Sequence, residues 1–349
     1  ASAGNQPRRR FTPLVPFGIL LLTALLSLAV PLFDLTEIEK VAAAFGIPIF
    51  LVYLMRNNPF RFGLSVGAIM LGGMFLNMSG ENILHRERNF FGVLKVAENR
   101  DGDLRIFYHG NTVHGKQHLD PERRCVPLAY FHPAGPLGDI FEAYHSRSLS
   151  GRVSGIGLGV GAINAYSRPG EEWTFYEIDP AVADIAEDER WFTYLSACAA
   201  TPPKIVLGDA RLRIEETLDE TYGLIVLDAF SSDAIPVHLI TEEAVDLYFS
   251  KLAPGGMMAF HISNRNLDLR PVLAGAAKRL NLKGVFREDR EQDEQIGKFP
   301  STWAVLARTA DDLGPLADNP GWIDVESIAD PVFWSDDFSN ILSVLKWFR

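Results

Sequence analysis

Apolar and polar positions divide the chain into three stretches with different periods. The first is a run without charge over residues 14–33, "LVPFGILLLTALLSLAVPLF". It has the length needed to cross ~30 Å of hydrocarbon. A shorter apolar run covers residues 41–55, and a third, rich in Gly and Met, covers residues 62–78. Together they predict a membrane segment over 1–84 with two or three hydrophobic helices. A signal peptide fits the first run poorly: its apolar core is too long, and no small-residue cleavage site follows "PLFD". Gly67, Gly72 and Gly73 would let neighbouring helices approach closely in lipid. Buried core helices are the competing reading of the second and third runs.

The period then changes to two. "FFGVLKVAENRDGDLRIFYHGNTVHGKQHL" alternates apolar and polar residues, with a turn signal at Asp101-Gly102 and His-Gly pairs at 109–110 and 114–115. This predicts a small β-rich domain over 85–145. From Arg152 onward, apolar strands alternate with helical patterns, which predicts a parallel sheet of βαβ units over 146–349. The fold class expected is α/β, with a Rossmann-like domain after a small β-domain.

Composition narrows the function. The 349 residues carry a formal net charge of -11, and no Lys/Arg block is long enough for a nucleic-acid groove. A small-molecule substrate is expected and nucleic acid is not. Cys125 and Cys198 are too few for a disulfide framework or a zinc site, so each is expected to be an ordinary thiol, with no metal bound. Arg8 to Arg10 precede the first apolar run, and Arg56 and Arg61 lie between the second and third. The positive-inside rule puts both groups on the cytoplasmic face. Three crossings would then leave the remaining chain outside, whereas Arg86 and Arg88 and the supply of a cytosolic cofactor favour an inside domain. The expected placement is multi-pass in a bacterial inner membrane, with the catalytic domain cytoplasmic.

The candidate chemistry begins at residues 153–161, "VSGIGLGVG". After a first strand, Gly157, Gly159 and Gly161 make a tight bend, where the backbone can approach a ligand and take up positive φ. Ala162 to Tyr166 would open a helix whose free N–H groups face the bend. Such a bend alone also fits a dinucleotide fingerprint, Gly157-x-Gly159-x-x-Ala162. Glu177 ends the second strand, "WTFYE", about 20 residues past the first glycine, where an acidic side chain can take both ribose hydroxyls. Asp179, before Pro180, fits a helix N-cap. Asp209 follows the third strand, where its carboxylate, or the neighbouring N–H of Ala210, could read an adenine edge. Asp228 and Asp233 stand at and after the end of the fourth strand, "YGLIVLDAFSSDAIP". A fifth strand follows a Pro-Gly-Gly turn in "LAPGGMMAFHIS". A dinucleotide domain does not require this set of carboxylates, so the layout favours an S-adenosylmethionine-type ligand over NAD.

With "NFFGVLKV", "FYHGNTVHGKQ", "GIGLGVGA", "YEIDP", "GDAR" and "LDAFSSDAIPVHLIT" in this order, the chain from Asn89 onward resembles the spermidine synthase (aminopropyltransferase) family, and bacterial spermidine-synthase-like proteins fused to membrane helices in particular. The resemblance implies S-adenosylmethionine or its decarboxylated form as substrate, an amine or other small molecule as partner, and polyamine biosynthesis as the setting. It implies that Glu177 holds the ribose and Asp209 the adenine, that Gln117 approaches the methionine end, and that Tyr130 faces the amine. Asp228 and Asp233 would bind the amine and accept its proton. The sequence departs from the family where the diamine is held. The aspartates of "DAFSSD" stand five apart rather than three, and the glycine bend lacks the usual acidic residue. A methyltransferase, a lyase or cyclase acting on the same substrate, and a nucleoside sensor therefore stay open. His114 is a candidate general base, or a structural imidazole, and Tyr130 is equally a core residue. Asp233 fits a cap as well as a catalytic role. Asp336 and Asp337 suit capping of a final helix or a place in the substrate pocket, and the run "REDREQDEQ" suits a solvated loop or a mobile lid. Membrane lipid and a second copy of the chain complete the partners considered.

Overall fold

The protein is described from a computed structural model, which describes residues 14–33, 35, 37–75, 81–230 and 236–346. The chain forms two compact units, residues 1–82 and 83–349.

The first unit contains α1 (Leu14–Ala29), α2 (Glu37–Tyr53) and α3 (Pro59–Gly73). Asn58 starts α3: its side chain accepts the Arg61 N–H at 3.3 Å, and Pro59 occupies the first turn. The uncharged run beginning at Leu14 does not continue as one α-helix. α1 has 16 residues, about 24 Å, and passes into a 3₁₀ turn over Val30–Leu32, with proline in its first positions. α2 carries Pro48 in its interior. No helix among the described residues is long and apolar enough to cross a membrane, which corrects the expected transmembrane spans. The last part of the third run, residues 76–78, lies outside the described residues. This unit has a small apolar core of Ile19, Val52 and Ala68. Thr23, Ser27 and Ser65 are buried, while Leu14, Phe17, Leu21, Leu25 and Leu28 are each at least half exposed. Two of the three glycines singled out sit at close approaches. A Cβ on Gly72 would lie 2.7 Å from Thr23, and one on Gly73 would lie 2.8 Å from the Phe45 ring; Gly67 faces open space.

The second unit holds two sheets. The smaller has β1 (Asn82–Arg88), β2 (Val93–Glu98), β3 (Leu104–His109) and β4 (Thr112–His118) in that order. The larger is built from β5 (Arg152–Ile156), β6 (Glu172–Glu177), β7 (Lys204–Leu207), β8 (Tyr222–Leu227), β9 (Leu252–His261), β10 (Lys283–Asp289), β11 (Ser301–Ala307) and β12 (Ile323–Asp324). Its order is β12-β10-β11-β9-β8-β5-β6-β7. Strands β5 to β9 pair in parallel, and β10 to β12 add an antiparallel edge. The connecting helices are α4 (Pro136–His145), α5 (Pro180–Glu187), α6 (Ala210–Glu215), α7 (Glu242–Lys251) and α8 (Arg270–Arg279). β8, "YGLIVL", is buried at every position, as a central parallel strand covered on both faces must be. β5 lies between β6 and β8, so the strand order reverses there. In such sheets ligands bind beyond the carboxyl ends at that reversal. Leu94, Val96 and Phe107 of the small sheet share one core with Phe192 and Trp303.

Three other expectations are corrected. Cys125 and Cys198 are joined by a disulfide, with Cα atoms 5.1 Å apart and a sequence separation of 73. Tertiary contacts bring them together. The Gln117 side chain accepts the Thr193 N–H at 2.8 Å, and the Tyr194 hydroxyl lies 2.9 Å from the Lys116 carbonyl and 3.1 Å from that of Val126. Asp336 does not cap a final helix. It takes both arms of Arg211, at 2.6 and 2.7 Å, and Asn340 caps the short 3₁₀ turn Ile341–Val344. The charge run is solvated only in part, because it begins in β10 and its Asp289 is buried 3.0 Å from the Lys298 ammonium.

Candidate active site

The site begins where β5 stops. Gly157, Gly159 and Gly161 all have positive φ, at 92°, 55° and 77°. Gly157 is the most constrained: a Cβ there would lie 2.4 Å from the Asp228 carbonyl oxygen. The bend therefore passes directly against the end of β8. Residues Ala162–Tyr166 form one 3₁₀ turn rather than the expected α-helix.

Parallel pairing of β5 and β6 sets Ile156 opposite Tyr176, and the Gly157 N–H donates to the Tyr176 carbonyl at 2.9 Å. The next residue of β6, Glu177, is thereby placed beside the bend. Its carboxylate accepts the Leu158 N–H at 3.0 Å and the Asp179 N–H at 2.9 Å. Burial pushes the Glu177 carboxyl above the ordinary glutamate range, opposed by backbone N–H bonds from Asp179, Leu158 and Ile178. Asp179 caps α5 by accepting the Ala181 N–H at 3.0 Å. It also accepts the Asn89 amide at 2.7 and 2.8 Å, which ties the start of the "NFFG" segment to the end of β6.

Asp209, just after β7, caps α6 by accepting the Arg211 and Leu212 N–H groups at 3.0 and 3.2 Å. Its other oxygen lies 2.9 Å from His238 Nε2. Asp228 follows β8 and lies 2.6 Å from His261 Nδ1. Tyr130 stacks on the His261 ring at 4.4 Å. Burial, and then the nearby Asp228 charge, push the Tyr130 phenol well above its usual value. Tyr130 is therefore an O–H donor at neutral pH and not a base.

One cleft gathers most of the predicted residues. Gly157, Gly159, Glu177, Asp209, Ala210, Asp228, Tyr130 and His114 all line it. Two do not. Gly161 packs at Leu195, and Gln117 is buried in the small sheet, bonded to Arg124 and Thr193. Asp233 lies outside the described residues. His261 was missed, as no single-residue spacing marks it. The pairing Leu227↔Phe260 sets it beside Asp228, and a polar "HIS" ending an apolar strand is the one signal that pointed there. Among the described residues no cluster of His, Cys, Asp and Glu could hold a metal ion.

No family model matches the chain. The chain is 30% identical over 168 residues to a polyamine aminopropyltransferase of Vibrio vulnificus, a match covering 46% of this chain and 52% of that protein. It is 23% identical over 275 residues to an N-terminal histidine N-methyltransferase of Emericella nidulans, covering 74% of this chain and 48% of that one. The chain thus spans about half the length of the curated relatives it matches. Its fold is similar to that of a solved probable spermidine synthase from Corynebacterium glutamicum, at a TM-score of 0.55 and 16% identity, over 73% of this chain and 97% of that structure. The fold is therefore α/β and Rossmann-like, of the spermidine-synthase type. Both curated relatives are transferases.

Proposed function

We propose that the cleft binds decarboxylated S-adenosylmethionine, or S-adenosylmethionine itself, and that the protein transfers the aminopropyl group of the decarboxylated form to an amine and releases methylthioadenosine. One observation carries this reading. Strands β6, β7 and β8 each carry a carboxylate at their end or within two residues of it, Glu177, Asp209 and Asp228, and all three line a single cleft at the glycine bend. The donor set suits an adenosyl sulfonium. Glu177 has lone pairs for the ribose hydroxyls, Ile178, Val182 and Leu239 offer apolar walls to a base, and Asp209 with Ala210 offers a polar edge. Asp228 stands where a cationic amine gains from a carboxylate.

In the reaction, the amine lone pair attacks the carbon beside sulfur, the C–S bond breaks, and its electron pair returns to sulfur. The new ammonium gives up a proton, and Asp228 is the base placed to take it. Asp233 would be the second carboxylate. Tyr130 lines the cleft as an available O–H donor and stacks on His261, and His114 lines the same cleft. Methyl transfer is the second reading, favoured by the histidine N-methyltransferase whose match extends over 74% of this chain.

Incubation with decarboxylated S-adenosylmethionine or S-adenosylmethionine, with and without putrescine, separates the readings. Methylthioadenosine formed only with amine is expected. Methylthioadenosine without amine means a lyase, adenosylhomocysteine means methyl transfer, and tight binding without turnover means a sensor.

We also propose that the helical unit attaches the protein to the bacterial inner membrane. Its outward leucines and phenylalanine and its inward hydroxyls support this reading, because apolar side chains face outward where the solvent is lipid.

A further inference from the structure

We propose that His261 is a positioning residue that holds Asp228 aimed into the cleft, and that Ser263 sets the tautomer that allows it. The inference rests on the reading of Asp228 as the base of the transfer reaction. The register of β8 and β9 places Asp228 and His261 side by side at the carboxyl edge of the sheet. His261 Nδ1 lies 2.6 Å from Asp228 Oδ1, and His261 Nε2 lies 2.7 Å from Ser263 Oγ.

The Thr302 N–H donates to Ser263 Oγ at 2.8 Å, which leaves that hydroxyl one hydrogen and one lone pair for the imidazole. In the proposed arrangement the Ser263 hydrogen is donated to Nε2, so the proton of the neutral imidazole sits on Nδ1 and is donated to Asp228. The ring has little freedom to turn. It stacks between Tyr130 at 4.4 Å and Trp303 at 4.8 Å, with Phe230 edge-on at 5.1 Å.

Burial gives this bond its importance. The His261 and Asp228 side chains retain 5% and 9% exposure. A buried carboxylate oxygen needs a hydrogen-bond donor, and the His261 ring stands at that distance from Oδ1. The arrangement leaves Oδ2 of Asp228 as the oxygen available to the acceptor.

The test uses the full chain. Nitrogen-15 histidine NMR of the wild type is expected to show the Nδ1–H tautomer for His261, and S263A to show a tautomer mixture. H261L removes the donor, whereas H261N keeps an amide N–H near the Nδ1 position. H261L is expected to lower kcat by roughly tenfold or more, with the nucleoside KM unchanged. H261N is expected to recover most of the loss. A melting curve for each variant separates lost folding from lost chemistry; if H261L does not fold, the two tautomer spectra and H261N decide. An Nε2–H tautomer in the wild type overturns the inference, and so does an H261L enzyme with wild-type kcat. A wild type without turnover overturns the reading of the cleft instead, since the spectrum needs no turnover.

Discussion

Glu177 concentrates the site's electrostatics in one side chain. It is buried, its oxygens already accept two backbone N–H groups, and burial raises its carboxyl above the ordinary range. A raised folded value means that its contribution to stability is full below the unfolded pKa and is lost as pH rises through the folded one. Ribose hydroxyls prefer the ionised acceptor, so ligand affinity should move the other way. We expect the Kd for S-adenosylmethionine to weaken on acidification from a pH above the usual glutamate range, and E177Q to remove that dependence. Titration across this window checks it, and an E177Q variant that keeps the wild-type slope contradicts it. Glu177, Asp209 and Asp228 were legible because each is the first carboxylate at the end of a strand-like run. Gln117 and His261 were not, because the first depends on what the small sheet packs against and the second on a neighbour 33 residues away.

At the scale of elements, strands were easier to read than their connections. β5, β6 and β8 fall where their apolar runs do. The turn after the glycine bend did not become an α-helix because "AINAYSRPG" reaches Pro169-Gly170 after barely one turn. The disulfide was illegible for a different reason: two cysteines 73 residues apart carry no periodic signal, and only the packing of Tyr194 against the end of β4 brings them into range. Closing a loop of that length restricts the unfolded chain by roughly 4 kcal/mol in the chain-entropy description. Reduction, or the C125A/C198A pair, should therefore lower Tm by several degrees without altering the cleft. Calorimetry with and without reductant measures this, and superimposable melts would contradict it. Such bonds persist in oxidising compartments, which pulls against the expected cytoplasmic placement of the catalytic unit.

For the whole molecule, the two units treat their apolar side chains differently. The α/β unit buries its aliphatic strands, whereas the helical unit exposes Leu14, Phe17, Leu21, Leu25 and Leu28 around a small core of Ile19, Val52 and Ala68, with Thr23 and Ser27 also buried. Hydropathy along the sequence identified the apolar runs but overestimated the length of the first helix, because the proline in the turn after α1 is invisible to an average. The full chain is expected to float with liposomes of bacterial lipid composition, and a chain lacking residues 1–82 to stay in the aqueous fraction. Recovery of both in the aqueous fraction would contradict membrane attachment.

The adenosyl sulfonium in the cleft is the claim on which the rest depends, and titration calorimetry tests it most directly. Wild-type protein should bind one equivalent of S-adenosylmethionine or its decarboxylated form and show no comparable heat with NAD. E177A should weaken that binding by about 1.5–3 kcal/mol. Binding of NAD in preference to either sulfonium, or an E177A variant with an unchanged Kd, would contradict it.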